Sequence, residues 1–169
     1  KSRTTRILRM QTTRKYIMYR VESMKHKGII PLPTYTKGRG DKKKTNLLSL
    51  NVFRNLHYFS KNKVKQDYAN LVREFVKTLP KYKTIQPSYT LYFNNNRKKD
   101  LDNYTFPMHK FLMDTMVEEG VIEDDHYDFV TEITTEFGGI NDDNYVVVEI
   151  KGEELVTKQE QGHKRTKEV

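Results

Sequence analysis

The sequence contains no cysteine, which excludes disulfide bonds and metal sites with thiolate ligands. It has no long apolar run and no signal peptide, so we expect neither a membrane span nor secretion. A glycine-rich phosphate-binding loop is also missing, which argues against an NTPase. No second histidine stands at zinc spacing from His57, whose aromatic neighbours favour a structural role. These absences point away from thiol, zinc and nucleotide-hydrolysing chemistry.

Charge, by contrast, is abundant and unevenly distributed along the 169 residues, whose net charge is +9. Residues 1–46 hold fourteen Lys and Arg residues against Glu22 and Asp41, a net charge of +12. The remaining residues therefore sum to −3. A basic segment joined to a nearly neutral body is typical of proteins that bind nucleic acid.

Composition divides the chain into three parts, with one folded domain of modest size. We predict a basic N-terminal arm over residues 1–46, a folded body over 47–150 and a polar, frayed tail over 151–169. The arm has three interpretations: a strand at residues 16–21, a basic helix over 4–24, or a flexible tail.

The first half of the body alternates between strand and helix patterns. Residues 47–53 predict a short strand and turn, and residues 88–94 predict a second strand. Between them an apolar stripe, which includes Leu71, predicts a helix over 61–79 that Pro80 ends.

The second half predicts one more helix and two more strands. Asn103 is the expected N-cap of a helix over 104–119, with Pro107 in its first turn and Gly120 at its end. Residues 127–137 alternate as a strand, Gly138 and Gly139 begin a turn, and residues 145–150 return as a buried strand. This order predicts an α+β fold, a small mixed β-sheet with two helices packed on one face.

Two carboxylates one residue apart follow three cations, in the order Arg97, Lys98, Lys99, Asp100 and, after one leucine, Asp102. If the preceding strand continued through residue 102, both carboxylates would face the same side with their Cα atoms about 6.6 Å apart. That spacing would allow them to share a divalent cation. The alternative is a solvated strand end that leads into a capped helix.

A second acidic pair, Asp124 and Asp125, follows the predicted second helix. If the chain returned along the sheet, these acids and Asp100 and Asp102 would form an all-oxygen site suited to Mg²⁺ or Mn²⁺. Such a site can activate water and neutralise charge on a scissile phosphate.

Three further polar features have competing interpretations. Lys110 and Asp114 form either an exposed i,i+4 ion pair or, through the lysine, part of a phosphate site. Asn51 and Asn55 cap turns or contact phosphate. The residues 142–143, both aspartates, lie in a Gly-Gly and Asn-rich context that indicates turn chemistry.

The order of these motifs resembles the RusA-type crossover junction endodeoxyribonucleases, which resolve Holliday junctions. The resemblance covers roughly residues 47–150 and rests on these segments: Ser49-Leu50-Asn51, His57-Tyr58, Lys61-Asn62-Lys63, Asp100-Leu101-Asp102-Asn103, Lys110 with Asp114, Gly120-Val121-Ile122 and Asp124-Asp125.

This resemblance implies a cytoplasmic homodimer, in a bacterial or phage-infected cell, that nicks four-way DNA junctions by Mg²⁺-dependent hydrolysis, with Mn²⁺ as a substitute. It implies no membrane and no nucleotide cofactor. Asp100, Asp102 and Asp125 would be the catalytic, metal-binding acids, Asp124 an adjacent metal-binding acid, and Lys110 the catalytic or phosphate-contacting lysine. The DNA-binding residues would be Arg97, Lys98, Lys99, Lys42, Lys43, Lys44, Lys61 and Lys63.

The lysine departs from the family pattern, which places it three residues after the Asn, where this chain has Phe106. A four-residue insertion around 105–109 accounts for the difference and would move Lys110 by roughly 6 Å, one helical turn. The alternative function is therefore a non-catalytic DNA-binding or regulatory protein that retains the fold.

Overall fold

The computed structural model describes residues 23–155, which form a four-stranded mixed sheet, a two-stranded antiparallel pair and three α-helices. The elements in chain order are β1 Ser23–Pro31, β2 Thr34–Lys37, a 3₁₀ turn Gly40–Lys42, β3 Lys44–Leu47, α1 Leu50–Asn55, α2 Tyr58–Lys77, β4 Tyr82–Phe93, α3 Leu101–Glu118, β5 Thr134–Ile140 and β6 Tyr145–Glu154. The large sheet has the strand order β1-β6-β4-β5, in which only β4 and β5 run parallel. The predicted α+β class is confirmed.

One face of the large sheet carries the core. Leu91 of β4 lies opposite Val146 of β6, and Tyr89 lies opposite Val148, so all four side chains share a face. All four are buried, and apolar side chains of α2 and α3 complete the same core cluster. Two helices thus cover one face of a mixed sheet, as the sequence predicts.

The opposite face of the sheet is polar and open. The rings of Tyr92 and Tyr145 stack there with their centroids 4.7 Å apart, and Thr90 donates a 2.8 Å hydrogen bond to Glu136. The period of two along β4 therefore separates an apolar face from a hydrated one.

Helix α3 begins three residues earlier than predicted. Asp100, and not Asn103, occupies the N-cap, so Pro107 lies in the second turn. Since proline has no N–H, the carbonyl of Asn103 lacks its helical donor there. The helix ends as expected at Gly120, whose φ of 68° and N–H bond to the Val117 carbonyl form a Schellman cap.

The first half of the body differs from the predicted elements at two places. Residues 50–55 form helix α1 and not a strand, because the Ser49 hydroxyl accepts a hydrogen bond from the Val52 N–H and caps the helix. Helix α2 begins at Tyr58, three residues before its predicted start. Leu71, assigned to its buried stripe, is 64% exposed.

Strand β4 ends at Phe93 and does not continue to residue 102, so of the two interpretations the structure has the strand end that leads into a helix. Residues 94–100 form an irregular connection, and Asp100 and Asp102 belong to the start of a helix. Their relative placement therefore follows the helical period, which does not put residues two apart on one face.

The strand predicted over 127–137 is also wrong over most of its length. Residues 121–133 form a loop that touches the sheet through an isolated bridge between Val130 and Ile85. Strand β5 begins only at Thr134 and continues through Gly138 and Gly139, which were expected to form a turn. The alternating residues of the loop reach β4 at Ile85, whose backbone bonds to Phe129 and Thr131, but the continuous pairing of this edge begins at Thr134, opposite Ser88.

Both predicted boundaries of the body also move outward. Residues 23–46, assigned to the arm, contribute β1 at the edge of the large sheet and the pair of β2 and most of β3. Strand β6 runs to Glu154, since it pairs with both β1 and β4, so residues 151–154 are not frayed. The interpretations of residues 4–24 fall almost entirely outside the described residues. None of the described helices has the length and apolar character that crossing a membrane requires.

Candidate functional site

The start of α3 holds two acidic side chains, Asp100 and Asp102, which we call the first-turn site. The Asn103 amide nitrogen Nδ2 lies 3.4 Å from Oδ2 of Asp100, and the Asn103 main-chain N–H donates a 2.9 Å hydrogen bond to Oδ1 of Asp102. Both residues are exposed, and within residues 23–155 neither forms an ion pair. The two carboxylates are therefore linked through one asparagine and keep oxygens available to a ligand.

Three cations, Arg97, Lys98 and Lys99, precede the first-turn site. Nζ of Lys99 donates to Oδ1 of Asn95 at 2.7 Å and lies 4.8 Å from the centroid of the Phe93 ring. Partial burial, and secondly the charge of Arg97, lowers the pKa of Lys99. No carboxylate in the described part of the chain pairs with any of the three. This segment is a concentration of positive charge at a helix N-terminus, which suits phosphate.

A second group of charges, Lys65, Lys110, Asp114 and Asp125, lies along the side of α3, and we call it the lateral cluster. Nζ of Lys110 lies 3.2 Å from Oδ1 of Asp114 and 3.5 Å from Oδ2 of Asp125. Nζ of Lys65, on α2, lies 2.7 Å from the other oxygen of Asp114. Two lysines and two aspartates therefore neutralise each other.

The lateral cluster keeps Lys110 protonated and Asp114 ionised. Burial alone would lower the pKa of Lys110, but the carboxylates of Asp114 and Asp125 outweigh it and raise that pKa above 10.5. Burial alone would raise the pKa of Asp114, but hydrogen bonds from Lys65 and Lys110 hold it below 3.8. Lys110 is thus a cation at neutral pH and not a general base.

His109 lies beside the lateral cluster but inside the fold. Its Nδ1 is 2.7 Å from the hydroxyl of Tyr89, a fully buried side chain. Burial is the largest influence on His109 and lowers its pKa to about 4, although the charges of Asp125 and Asp114 act in the opposite direction. The ring is neutral at pH 7, and its Nδ1 shares one hydrogen with the Tyr89 hydroxyl, as donor or as acceptor according to the tautomer.

The structure brings only some of the predicted catalytic residues together. Lys110 meets Asp125, but it lies eight residues after Asp102, about 12 Å along the helix axis. Phe106 occupies the helical turn between them and is 48% exposed. Nowhere in residues 23–155 do three acidic or histidine side chains converge as ligands of one metal ion would. The first-turn site and the lateral cluster are thus separate groups.

The remaining predicted residues have varied surroundings. Asp124 accepts the N–H of Asp125 at 2.7 Å and lies 3.8 Å from His126. Among the predicted DNA contacts, Lys63 pairs with Asp67, and Lys61 donates to the carbonyl of Arg54. The lysines near the start of β3 are exposed, and they are Lys42, Lys43 and Lys44. The turn between β5 and β6 contains Asp142 and Asp143.

Sequence reasoning did not identify Lys65 or His109 as members of this region. Lys65 belongs to α2 and reaches Asp114 only because α2 packs beside α3. His109 appears in the sequence as one more polar residue of a helix, and its bond to Tyr89 depends on the placement of β4. Neither position had a spacing signal, since both contacts arise between elements distant in the chain.

The first-turn site has the right donor chemistry for a hard divalent cation. Carboxylate oxygens are the preferred ligands of Mg²⁺, which is commonly held by one or two carboxylates together with water and substrate phosphates. Asp100 and Asp102 meet that requirement, whereas Asp125 has one oxygen engaged by Lys110. The residues present therefore fit a magnesium ion at the first-turn site.

No protein-family model matches this chain, and no curated protein matches it significantly.

Proposed function

We propose that this protein is a metal-dependent endonuclease that cuts branched DNA. The observation that supports this best is the pair of exposed carboxylates Asp100 and Asp102 beside three cations, and within residues 23–155 none of these five groups forms an ion pair. Phosphodiester hydrolysis needs both components, cations that hold the phosphate and carboxylates that hold a divalent ion. The order of motifs that resembles the junction resolvases supports a four-way junction as the substrate.

In this proposal the residues 97–99 bind the phosphates that flank the scissile bond. Asn103 holds the Asp100 and Asp102 side chains, which would ligate Mg²⁺, with Mn²⁺ as a substitute. The ion, when bound, supplies positive charge that stabilises negative charge on the phosphate. Positioning before binding matters, because fixed groups need not reorganise during the reaction.

Lys110 acts as a fixed cation and not as a proton acceptor, because its pKa lies above its ordinary value. In the reaction, water adds to phosphorus, one phosphorus–oxygen ester bond breaks, and the departing oxygen takes up a proton. The products are a phosphomonoester and an alcohol. We assign Lys110 to a neighbouring phosphate of the bound strand, about 12 Å along the helix axis from Asp102, and Asp125 to holding that lysine, as supported by their 3.5 Å contact.

Symmetric cutting of a junction requires two such sites. We propose a homodimer that acts inside a bacterial or phage-infected cell, in which each protomer supplies one first-turn site to one of two equivalent strands. A two-fold protein matches the two-fold symmetry of the substrate.

Cleavage of a synthetic four-way junction tests the proposal. The wild-type protein should cut with Mg²⁺ and stop with EDTA, and Asp102→Asn should bind the junction but cut at least about 100-fold more slowly. Asp142→Asn is a matched control, because it removes an exposed carboxylate in the turn after β5. Cleavage that survives EDTA, or full activity of Asp102→Asn, would refute the metal-dependent mechanism.

A second function, DNA binding without catalysis, is favoured by the distance between Lys110 and the first-turn site. Phe106 stands where the resembling family has its lysine. A wild-type protein that binds junctions tightly but cuts none with Mg²⁺ or Mn²⁺ would establish this alternative.

A further inference from the structure

An irregularity in β5 places two apolar side chains on the helix-covered side of the sheet. Phe137 pairs with Leu91 and Ile140 pairs with Phe93, although residues three apart in a regular strand point to opposite faces. The register shift between these pairs leaves Gly138 as an extra residue, a β-bulge, and Gly139 has a φ of 137°. The bulge therefore aims both side chains in the same direction.

These two side chains stay uncovered. Phe137 and Ile140 are each 54% exposed, whereas their partners Leu91 and Phe93 are buried. The Phe137 ring lies nearly parallel to that of Phe93, with the centroids 6.3 Å apart. Helix α3 lies against β5 but leaves these two side chains open. The result is a cavity of about 420 Å³ whose floor is formed by Phe93, Leu101, Phe137 and Ile140.

The rim of this cavity is positively charged. Arg97, Lys98 and Lys99 line it, and no acidic side chain does. The volume lies within the range of about 300–1,000 Å³ that is usual for small-molecule sites. An aromatic floor beneath a cationic rim matches a nucleotide, whose planar base stacks on rings and whose phosphate pairs with lysine and arginine.

The cavity adjoins the first-turn site through Leu101, which lines it and stands between Asp100 and Asp102 in the chain. A nucleotide held there would have its phosphate beside the two carboxylates. The exchange point of a four-way junction is where a base leaves its stack at the lowest cost, since the duplex is already interrupted.

We propose that this cavity binds one unpaired nucleotide at the branch point of DNA, with the base on Phe137 and the phosphate on Arg97 and Lys98. This assignment deepens the proposed function and rests on it. A second copy of the chain is a poorer occupant, because a two-fold contact through this surface would bring two sets of three cations together.

Photo-crosslinking locates the nucleotide directly. The full-length protein is bound to a four-way junction that carries 5-iododeoxyuridine at one branch-point position, in EDTA so that no strand is cut. After irradiation, the crosslinked peptide is identified by mass spectrometry. We expect the crosslink at Phe137, the exposed ring of the cavity. A crosslink confined to other regions would overturn the assignment.

Affinity provides the second arm of the test. Phe137→Ala should weaken binding of the junction by about 5- to 100-fold, the usual range for loss of one base–aromatic stack. Phe59→Ala is the matched control, since Phe59 is 74% exposed on α2 and should leave affinity unchanged. Lys98→Glu tests the rim without altering the floor and should also weaken binding. Unchanged affinity for both Phe137→Ala and Lys98→Glu would overturn the proposal.

Three outcomes separate the proposed nucleotide site from a protein interface and from the nuclease function. If Phe137→Ala converts a dimer to a monomer in sedimentation and the crosslink is absent, the cavity is a protein interface and the proposal fails. If the crosslink forms at Phe137 but the wild-type protein cuts no junction, the cavity stands and the nuclease function fails. If the wild-type protein cuts junctions but no crosslink forms in the cavity, the nuclease function stands and the nucleotide site fails.

Discussion

The first-turn site and the lateral cluster contain the same types of side chain, but their charges are satisfied in opposite ways. Asp100 and Asp102 are exposed and bonded only to Asn103, with unpaired cations beside them. In the lateral cluster, Asp114 is held by two lysines, and its side chain is only 18% exposed. Charges left unpaired on a surface are ready for a ligand, whereas charges paired at a helix–helix contact mainly fix the packing.

Asp125 gives the strongest test of this difference between the two groups, because it belongs to the lateral cluster but is assigned to catalysis. Its only cationic partner among the described residues is Lys110, at 3.5 Å. We expect Asp125→Asn to slow junction cleavage by about 100-fold, equivalent to about 3 kcal/mol of activation free energy. Its thermal unfolding should match the wild type. Full activity would confine the chemistry to the first-turn site.

The pH dependence of the free energy of unfolding tests the burial of His109, which lies beside the lateral cluster. Since burial lowers the pKa of His109 from 6.5 to about 4, the unfolded chain binds a proton that the folded chain rejects between those values. Stability from this group is fully present above pH 6.5 and is lost as the pH falls towards 4. Urea unfolding in EDTA should show about 2 kcal/mol less stability at pH 5 than at pH 7.

His109→Gln is the control for that measurement, because glutamine can bond to Tyr89 but does not titrate. The variant should lose most of the difference between pH 7 and pH 5. An unchanged pH dependence would assign the loss to other groups.

Asp114 distinguishes a structural carboxylate from a catalytic one. Asp114→Asn leaves Lys65 and Lys110 facing each other and should lower the free energy of unfolding by about 1–2 kcal/mol at neutral pH. Because the folded-state pKa lies below 3.8, this contribution is present above that pH and disappears as the pH falls below it. Urea unfolding at pH 7 and pH 3 measures the difference. A variant that is stable but inactive would move Asp114 into the catalytic group.

The smallest effect that we expect is on the salt dependence of DNA binding, which distinguishes unpaired lysines from paired ones. Lys98 is unpaired and should contact phosphate, so Lys98→Ala should reduce the slope of log affinity against log salt by about 1. Lys63, predicted from the resemblance to bind DNA, is held by Asp67 at 2.9 Å, and Lys63→Ala should change the slope less. Titration of a labelled junction at several salt concentrations measures both. Equal changes would show that pairing with Asp67 does not restrain Lys63.

Much of the fold was predictable because apolar periodicity is a local signal. The stripe that contains Val64, Tyr68 and Val72 belongs to a helix, and β6 is a buried strand, as their periods indicate. The β5 region was not predictable in this way. Residues 127–133 alternate like a strand, but they contact β4 through a single bridge at Val130, and the continuous strand begins at Thr134.

The candidate site was predictable only in its composition. The acids and cations could be named from their spacing, but spacing could not decide between an extended strand and a helix start at residues 100–102, because only the structure shows that the chain leaves the sheet at Phe93. The N-cap at Asp100, and not at Asn103, then changes which face each acid occupies. The bulge at Gly138 gave no signal beyond two glycines, which fit a turn equally well.

The sequence by itself determined the α+β class, the excess of positive charge and the residue types available for phosphate and metal chemistry. These properties follow from composition and from periods that act within a few residues. Only the tertiary structure decided that Lys110 meets Asp125, that Lys65 holds Asp114, and that Phe137 lines a cavity below Lys98 and Lys99. These contacts depend on how α3 packs beside α2 and against β5, which is set by packing between residues far apart in the chain.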